Sequence, residues 1–123
     1  MPYQLLVWLF LCHWLGDYSH LQTAAMIRAK ATGKPAWLIF AHACVHGLLM
    51  LAVLLFYVHS QILIQLVAFQ IGTHFLIDFW KSRMNTWFPA VKNPANQYHW
   101  LVFGFDQFLH HTVIVVMVWW LNP

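Results

Sequence analysis

Four apolar stretches, each about 20 residues or longer, fill this chain almost from end to end. They run from about Tyr3 to Ile27, Pro35 to Val58, Gln61 to Met84 and Tyr98 to Leu121. A stretch of that length crosses the hydrocarbon core of a bilayer as one helix, and four of them leave little chain for anything else. The composition agrees: 62% of residues are hydrophobic and 7% charged, about a quarter of the charge usual in a soluble domain. A soluble protein of this size still needs a polar exterior, and six Lys/Arg with three acids cannot supply one. The expected fold is all-α, an integral membrane four-helix up-down-up-down bundle forming one domain over residues 1–123.

The connections set the expected orientation. The first is short and basic (Arg28, Lys30, Gly33, Lys34), the second a tight turn at His59–Ser60, the third rich in Pro and Asn (Pro89, Asn93, Pro94, Asn96). Pro35, just after Gly33, suits the first turn of a helix. All six basic residues lie in, or within one turn of, the first and third connections. Under the positive-inside rule these face the cytoplasm, both termini face the periplasm, and Trp119–Trp120 form an interfacial pair. The start, Met-Pro-Tyr-Gln, has no basic region before its apolar run, so that segment is expected to stay in the mature protein. A scattered net charge of +3 gives no reason to expect a nucleic-acid partner. Cys12 and Cys44 lie inside apolar runs without metal-finger spacing, and read as small buried hydrophobes.

Each expected helix carries two metal-capable side chains four residues apart: His13/Asp17, His42/His46, His74/Asp78 and Asp106/His110. That spacing puts both groups on one helix face, one turn apart. Given nine His in 123 residues, an Asp has roughly a 14% chance of a His four positions away. All three Asp residues have one, and the chain contains no Glu. Counted inward from the basic connections, Asp17, His42, Asp78 and Asp106 form a shallow layer. His13, His46, His74 and His110 form a deep layer one turn further in.

Carboxylates in a bilayer interior are costly unless paired, and such residues are functional by default. Lys81 is the only base within one turn of an Asp in the sequence, so metal is the expected counter-charge. Five His and three Asp suit zinc first, with iron or manganese as alternatives, and one or two ions are expected. His20 and His99 lie seven residues cytoplasmic of His13 and Asp106. With Lys81 they are read as an outer polar layer through which a substrate enters. His59 and His111 read as incidental, since His111 points about 100° away from His110 around its helix.

The strings His13-Trp-Leu-Gly-Asp17-Tyr18, His42-Ala-Cys-Val-His46, His74-Phe-Leu-Ile-Asp78-Phe-Trp-Lys81 and Asp106-Gln107-Phe-Leu-His110 resemble those of a small bacterial and phage membrane family, domain of unknown function 3307. One departure is that Gln22 stands five residues after Asp17 rather than four. The resemblance implies a bacterial inner-membrane location and supplies no activity.

The function expected from the residues is that of a membrane-embedded metal-dependent hydrolase with a two-metal site. Such a site lowers the pKa of water and polarises an ester, amide or phosphoryl group. The substrate would be a lipid or lipid-linked molecule reached from the cytoplasmic side. Asp17, Asp78 and Asp106 would be ligands, one of them free as general base and Asp106 counted among the catalytic residues; Lys81 would hold a substrate anion and Gln107 would support the ligands. Two other classes compete. One is a redox protein, di-iron or bis-histidine haem, although di-iron bundles rely on Glu and haem leaves the Asp residues unexplained. The other is an ion or proton transporter, or a regulatory protein with a structural metal, which four helices would serve best as an oligomer.

Overall fold

The computed structural model describes residues 2–59 and 61–122, so Ser60 of the expected second turn lies outside the described residues. Among these the regular structure is all helical: α1 (Pro2–Tyr18), α2 (Ala24–Thr32), α3 (Ala36–Leu54), α4 (Gln61–Trp87) and α5 (Gln97–Leu121), with a 3₁₀ turn at Pro89–Lys92. Three of them, α3, α4 and α5, are long and apolar enough to cross a membrane. At 17 residues, α1 is about 25 Å long, slightly less than a hydrocarbon core.

The first apolar stretch corrects the sequence reading. It was expected to run unbroken to Ile27, but the helix stops at Tyr18 and a separate one begins at Ala24. Local polar competition explains the break. The Ser19 hydroxyl donates to the Leu15 carbonyl, and the Gln22 amide donates to the carbonyl of Asp17. The Leu21 N–H, which a continuing helix would send to that Asp17 carbonyl, donates instead to Ser19 Oγ at 3.2 Å. Thr23 then caps α2, its Oγ1 accepting from the Met26 N–H at 3.2 Å. Gly33 ends α2 with φ +77°, a left-handed conformation that favours glycine. A Cβ there would also sit 3.0 Å from Ser82 Oγ on α4.

The four long helices touch in a closed ring, α1 against α3, α3 against α4, α4 against α5 and α5 back against α1. Helix α2 lies across one end, packed on α3 and α4. The core divides along its length. One half is apolar, built from residues such as Leu9, Met50, Leu54, Leu66, Ile114 and Met117. The other half is polar, and holds all eight of the paired His and Asp residues buried. The outer surface is largely apolar, with Trp8, Trp14, Trp37, Phe40, Leu48 and Phe108 among many exposed large side chains, which marks a membrane-facing exterior.

Candidate metal centre

Four helices deliver the cluster. The deep layer forms as the spacing implies: the rings of His13, His46, His74 and His110 gather with His46 stacked on His74 at 3.8 Å and His74 4.2 Å from His110. His13 lies 5.1 Å from His46 and 5.0 Å from His110. Close helix approach makes this possible. A Cβ on Gly16 would sit 2.4 Å from the His46 ring, so only glycine lets α1 come this near α3. Gly16→Ala should therefore push the His46 ring aside and cost about 1–3 kcal/mol, read as a lower melting temperature with lower metal occupancy.

The eight residues do not form one shell. Two groups bring their ligand atoms within 4.8 Å of one another: Asp17, His42, His46 and His74, and then His74, Asp78 and His110. These use six of the eight. In the first, His42 and His46 Nε2 lie 3.0 and 3.1 Å from Asp17 Oδ1, which is ordinary hydrogen-bond spacing. In the second, His74 Nε2 lies 3.3 Å from Asp78 Oδ2, and His110 Nε2 lies 3.6 Å from Asp78 Oδ1. Four ligands about 2.1 Å from one zinc ion stand roughly 3.4 Å from each other. The second group, at 3.3 and 3.6 Å, has a spacing that a coordination shell would adopt.

Its partnering agrees. His74 Nε2, both oxygens of Asp78 and His110 Nε2 are buried with no hydrogen-bond partner among the described residues. The His110 Nδ1–H donates to its own helix's Asp106 carbonyl at 2.8 Å, which fixes the tautomer and leaves a lone pair on Nε2. That lone pair faces a carboxylate oxygen, an arrangement that a divalent cation between the two would stabilise. Gln70 faces His74 on the same helix, its amide nitrogen 3.4 Å from Nδ1. Turned over, the amide presents its oxygen, otherwise unpartnered, to an Nδ1–H and leaves Nε2 to coordinate. These residues fit a divalent ion.

The remaining two form a neighbouring network. Gln107 Oε1 lies 3.1 Å from His13 Nε2, while its Nε2–H₂ donates to Asp106 Oδ2 at 3.0 Å and faces Asp17 Oδ2 at 3.4 Å. Lys81 Nζ donates to Asp106 Oδ2 at 3.2 Å. Asp106 thus stands outside both ligand groups, engaged by Lys81 and Gln107.

Lys30 changes the charge balance, because Lys81 is not the only base among the acids. Carried by α2, the Lys30 ammonium lies 3.5 Å from Asp17 Oδ1, 3.6 Å from Asp78 Oδ2 and 3.3 Å from His42 Nε2. It also donates to Gln22 Oε1 at 2.9 Å. Burial alone would lower its pKa, but the carboxylates of Asp78, Asp17 and Asp106 outweigh that and hold it above the ordinary lysine value. With Lys81 counted, three carboxylates face two ammoniums, leaving one negative charge.

A cavity of about 320 Å³ runs to this network from the end of the molecule that bears the basic residues. Lys81 and His99 line it as the sequence suggests, with Lys30, Lys92, Gln22 and Gln107. His20 does not. It is exposed in the turn after α1, so it no longer shares a helix face with His13. His99 Nδ1–H donates to the Val91 carbonyl at 2.7 Å and pins the 3₁₀ turn at the cavity's edge. His111 packs beside His13, 5.4 Å between rings.

The family model described as "Protein of unknown function (DUF3307)" matches residues 5–123. The chain belongs to this family. The four blocks that carried the resemblance all meet in the buried cluster or on the cavity wall beside it. No curated protein and no solved structure matches the chain.

Proposed function

We propose that the protein is a membrane-embedded metal-dependent hydrolase. The observation that carries this is the set of facing, unpartnered ligand atoms on His74, Asp78 and His110, beside a cavity lined by lysines. One ion rather than two is the better fit, zinc first and iron or manganese next. The two ligand groups share His74, whose Nδ1 faces Gln70 and leaves one nitrogen to give. The charge balance points the same way. One divalent ion takes the cluster from one negative charge to one positive, which leaves room for a single anionic group.

Such an ion would act as a Lewis acid and lower the pKa of water. The chain's own residues supply the rest. Asp17, which also lines the cavity, is held by His42, His46, Lys30 and Gln107 and would keep those groups in place. Gln107 holds Asp17, Asp106 and His13 in register, and Asp106 orients Lys81, so Asp106 and Gln107 are positioning residues. The membrane arrangement is that of a four-helix bundle in the bacterial inner membrane, with α1, α3, α4 and α5 spanning and α2 lying at the cytoplasmic interface. The clustering of basic residues beside Asn93 and Lys34 supports that orientation, and reporter fusions at Asn93 should read cytoplasmic, those at either terminus periplasmic. A cavity open at that interface suits a lipid or lipid-linked ester, amide or phosphate. The rings lie 3.8 to 5.1 Å apart, centre to centre, which leaves no slot for a porphyrin between them and weighs against haem.

The reading is tested with purified protein against short-chain phospholipids and lipid-linked phosphates, esters and amides. Hydrolysis should stop on chelation, return with zinc and be absent in Asp78→Asn. Metal-loaded protein that hydrolyses none of the panel, or a purified protein carrying haem or ferric absorption, would contradict it.

A further inference from the structure

The cavity has a chemistry distinct from that of the cluster below it. Lys30, Lys81 and Lys92 all contribute to its wall, and Asp17 is the one carboxylate there among the described residues. Lys30 and Lys81 are paired inside the protein, with Asp17 and Asp78 and with Asp106 respectively. Lys92 is exposed and forms no ion pair among the described residues. Three ammoniums on one wall repel each other unless something anionic lies between them. Asn85 and His99 add polar contacts, while Phe103, 4.8 Å beneath the Lys81 ammonium, gives an apolar flank.

Metal binding would sharpen this asymmetry. A divalent ion held by His74, Asp78 and His110 draws on the charge of Asp78, one of the two carboxylates that hold Lys30. The Lys30 ammonium then keeps Asp17 alone and faces the cavity with less of its charge compensated. We propose that this cavity binds a phosphate group, contacted by Lys30, Lys81 and Lys92, and that a divalent ion in the His/Asp cluster strengthens its binding. The inference rests on the metal reading above and narrows its substrate class. Compact ammoniums on flexible stems suit phosphate, which offers several oxygens to separate donors and carries more charge than one carboxylate. The phosphate could belong to a lipid headgroup or to a soluble phosphoester, and the two share this recognition.

The test uses the full-length protein in detergent, either metal-loaded with no free metal or stripped by chelator. Binding of inorganic phosphate and of dihexanoyl phosphatidic acid is measured by calorimetry. Phosphate should bind the loaded form about tenfold or more tightly than the stripped form, within the usual range of coupling between sites. Lys92→Met should keep the metal and the melting temperature while weakening phosphate about tenfold. Lys30→Met, measured metal-loaded, should weaken it likewise. Tighter binding of phosphatidic acid than of phosphate assigns the group to a lipid, and equal binding assigns it to a soluble ester. The proposal is overturned if loaded protein binds neither probe, or if Lys92→Met and Lys30→Met both bind like wild type. Failure to take up any metal would strike the metal reading itself, and the coupling with it. Uptake of metal without phosphate binding would strike the cavity assignment alone.

Discussion

His74→Ala should lose the divalent ion, while His13→Ala should keep it. Both side chains are buried in the deep histidine layer and both sit four residues from an Asp. Spacing alone gives them the same role, and geometry separates them. His74 belongs to both groups of converging ligand atoms, and its Nε2 is buried without a partner. His13 belongs to neither group and faces the Gln107 amide at 3.1 Å. Losing a supporting residue around a metal costs about 10–100-fold in affinity, so losing the shared ligand should cost at least about a hundredfold. His13→Ala should instead lower the melting temperature by a few degrees through the lost packing and hydrogen bond. Metal content after dialysis, with thermal unfolding, reads both. Equal metal loss in the two variants would mean that all eight residues act as one shell.

Lys30→Met should make the protein depend on metal for its stability. The substitution keeps the length of the side chain but removes the ammonium from between Asp17 and Asp78. A buried pair broken on one side typically costs about 3–5 kcal/mol, because the other charge is left without compensation. That cost falls mainly on the stripped protein. A divalent ion draws on the charge of Asp78, one of the same two carboxylates, so the loaded variant should recover part of its stability. The zinc-induced rise in melting temperature should therefore be larger in Lys30→Met than in wild type, with Lys30→Arg close to wild type. An equal or smaller rise would show that Lys30 and the ion do not share Asp78.

Much of this arrangement is legible in the sequence because buried helix faces in a bilayer leave few choices for polar groups. The i, i+4 pairs name all eight buried His and Asp residues, and the count of residues from the basic connections places the deep histidines together, as the ring contacts bear out. What escapes is anything set by a short polar detour. The break after Tyr18 depends on Gln22 capturing the Asp17 carbonyl while Ser19 Oγ takes the Leu21 N–H, an effect that hydropathy does not record. Once the chain turns, Lys30 stands on α2 rather than in a loop and reaches the carboxylates, with Gln22 holding it. The Thr23 cap and the Gly33 stop were visible signals of a separate helix. Gln70 was findable too, four residues before His74 on the same face. The division of the ligands into two groups sharing His74 has no such signal, since it depends on side-chain distances well under one helical turn.

The central claim is that the buried histidines and aspartates form a metal centre rather than a hydrogen-bond network. Elemental analysis of the detergent-purified protein, before and after exhaustive chelation and zinc reloading, tests it most directly. The account predicts about one divalent ion per chain, removed by chelator with a lower melting temperature, regained on reloading, and absent from His74→Ala and Asp78→Asn. No metal above the level of those two variants, with an unchanged melting temperature in chelator, would contradict it.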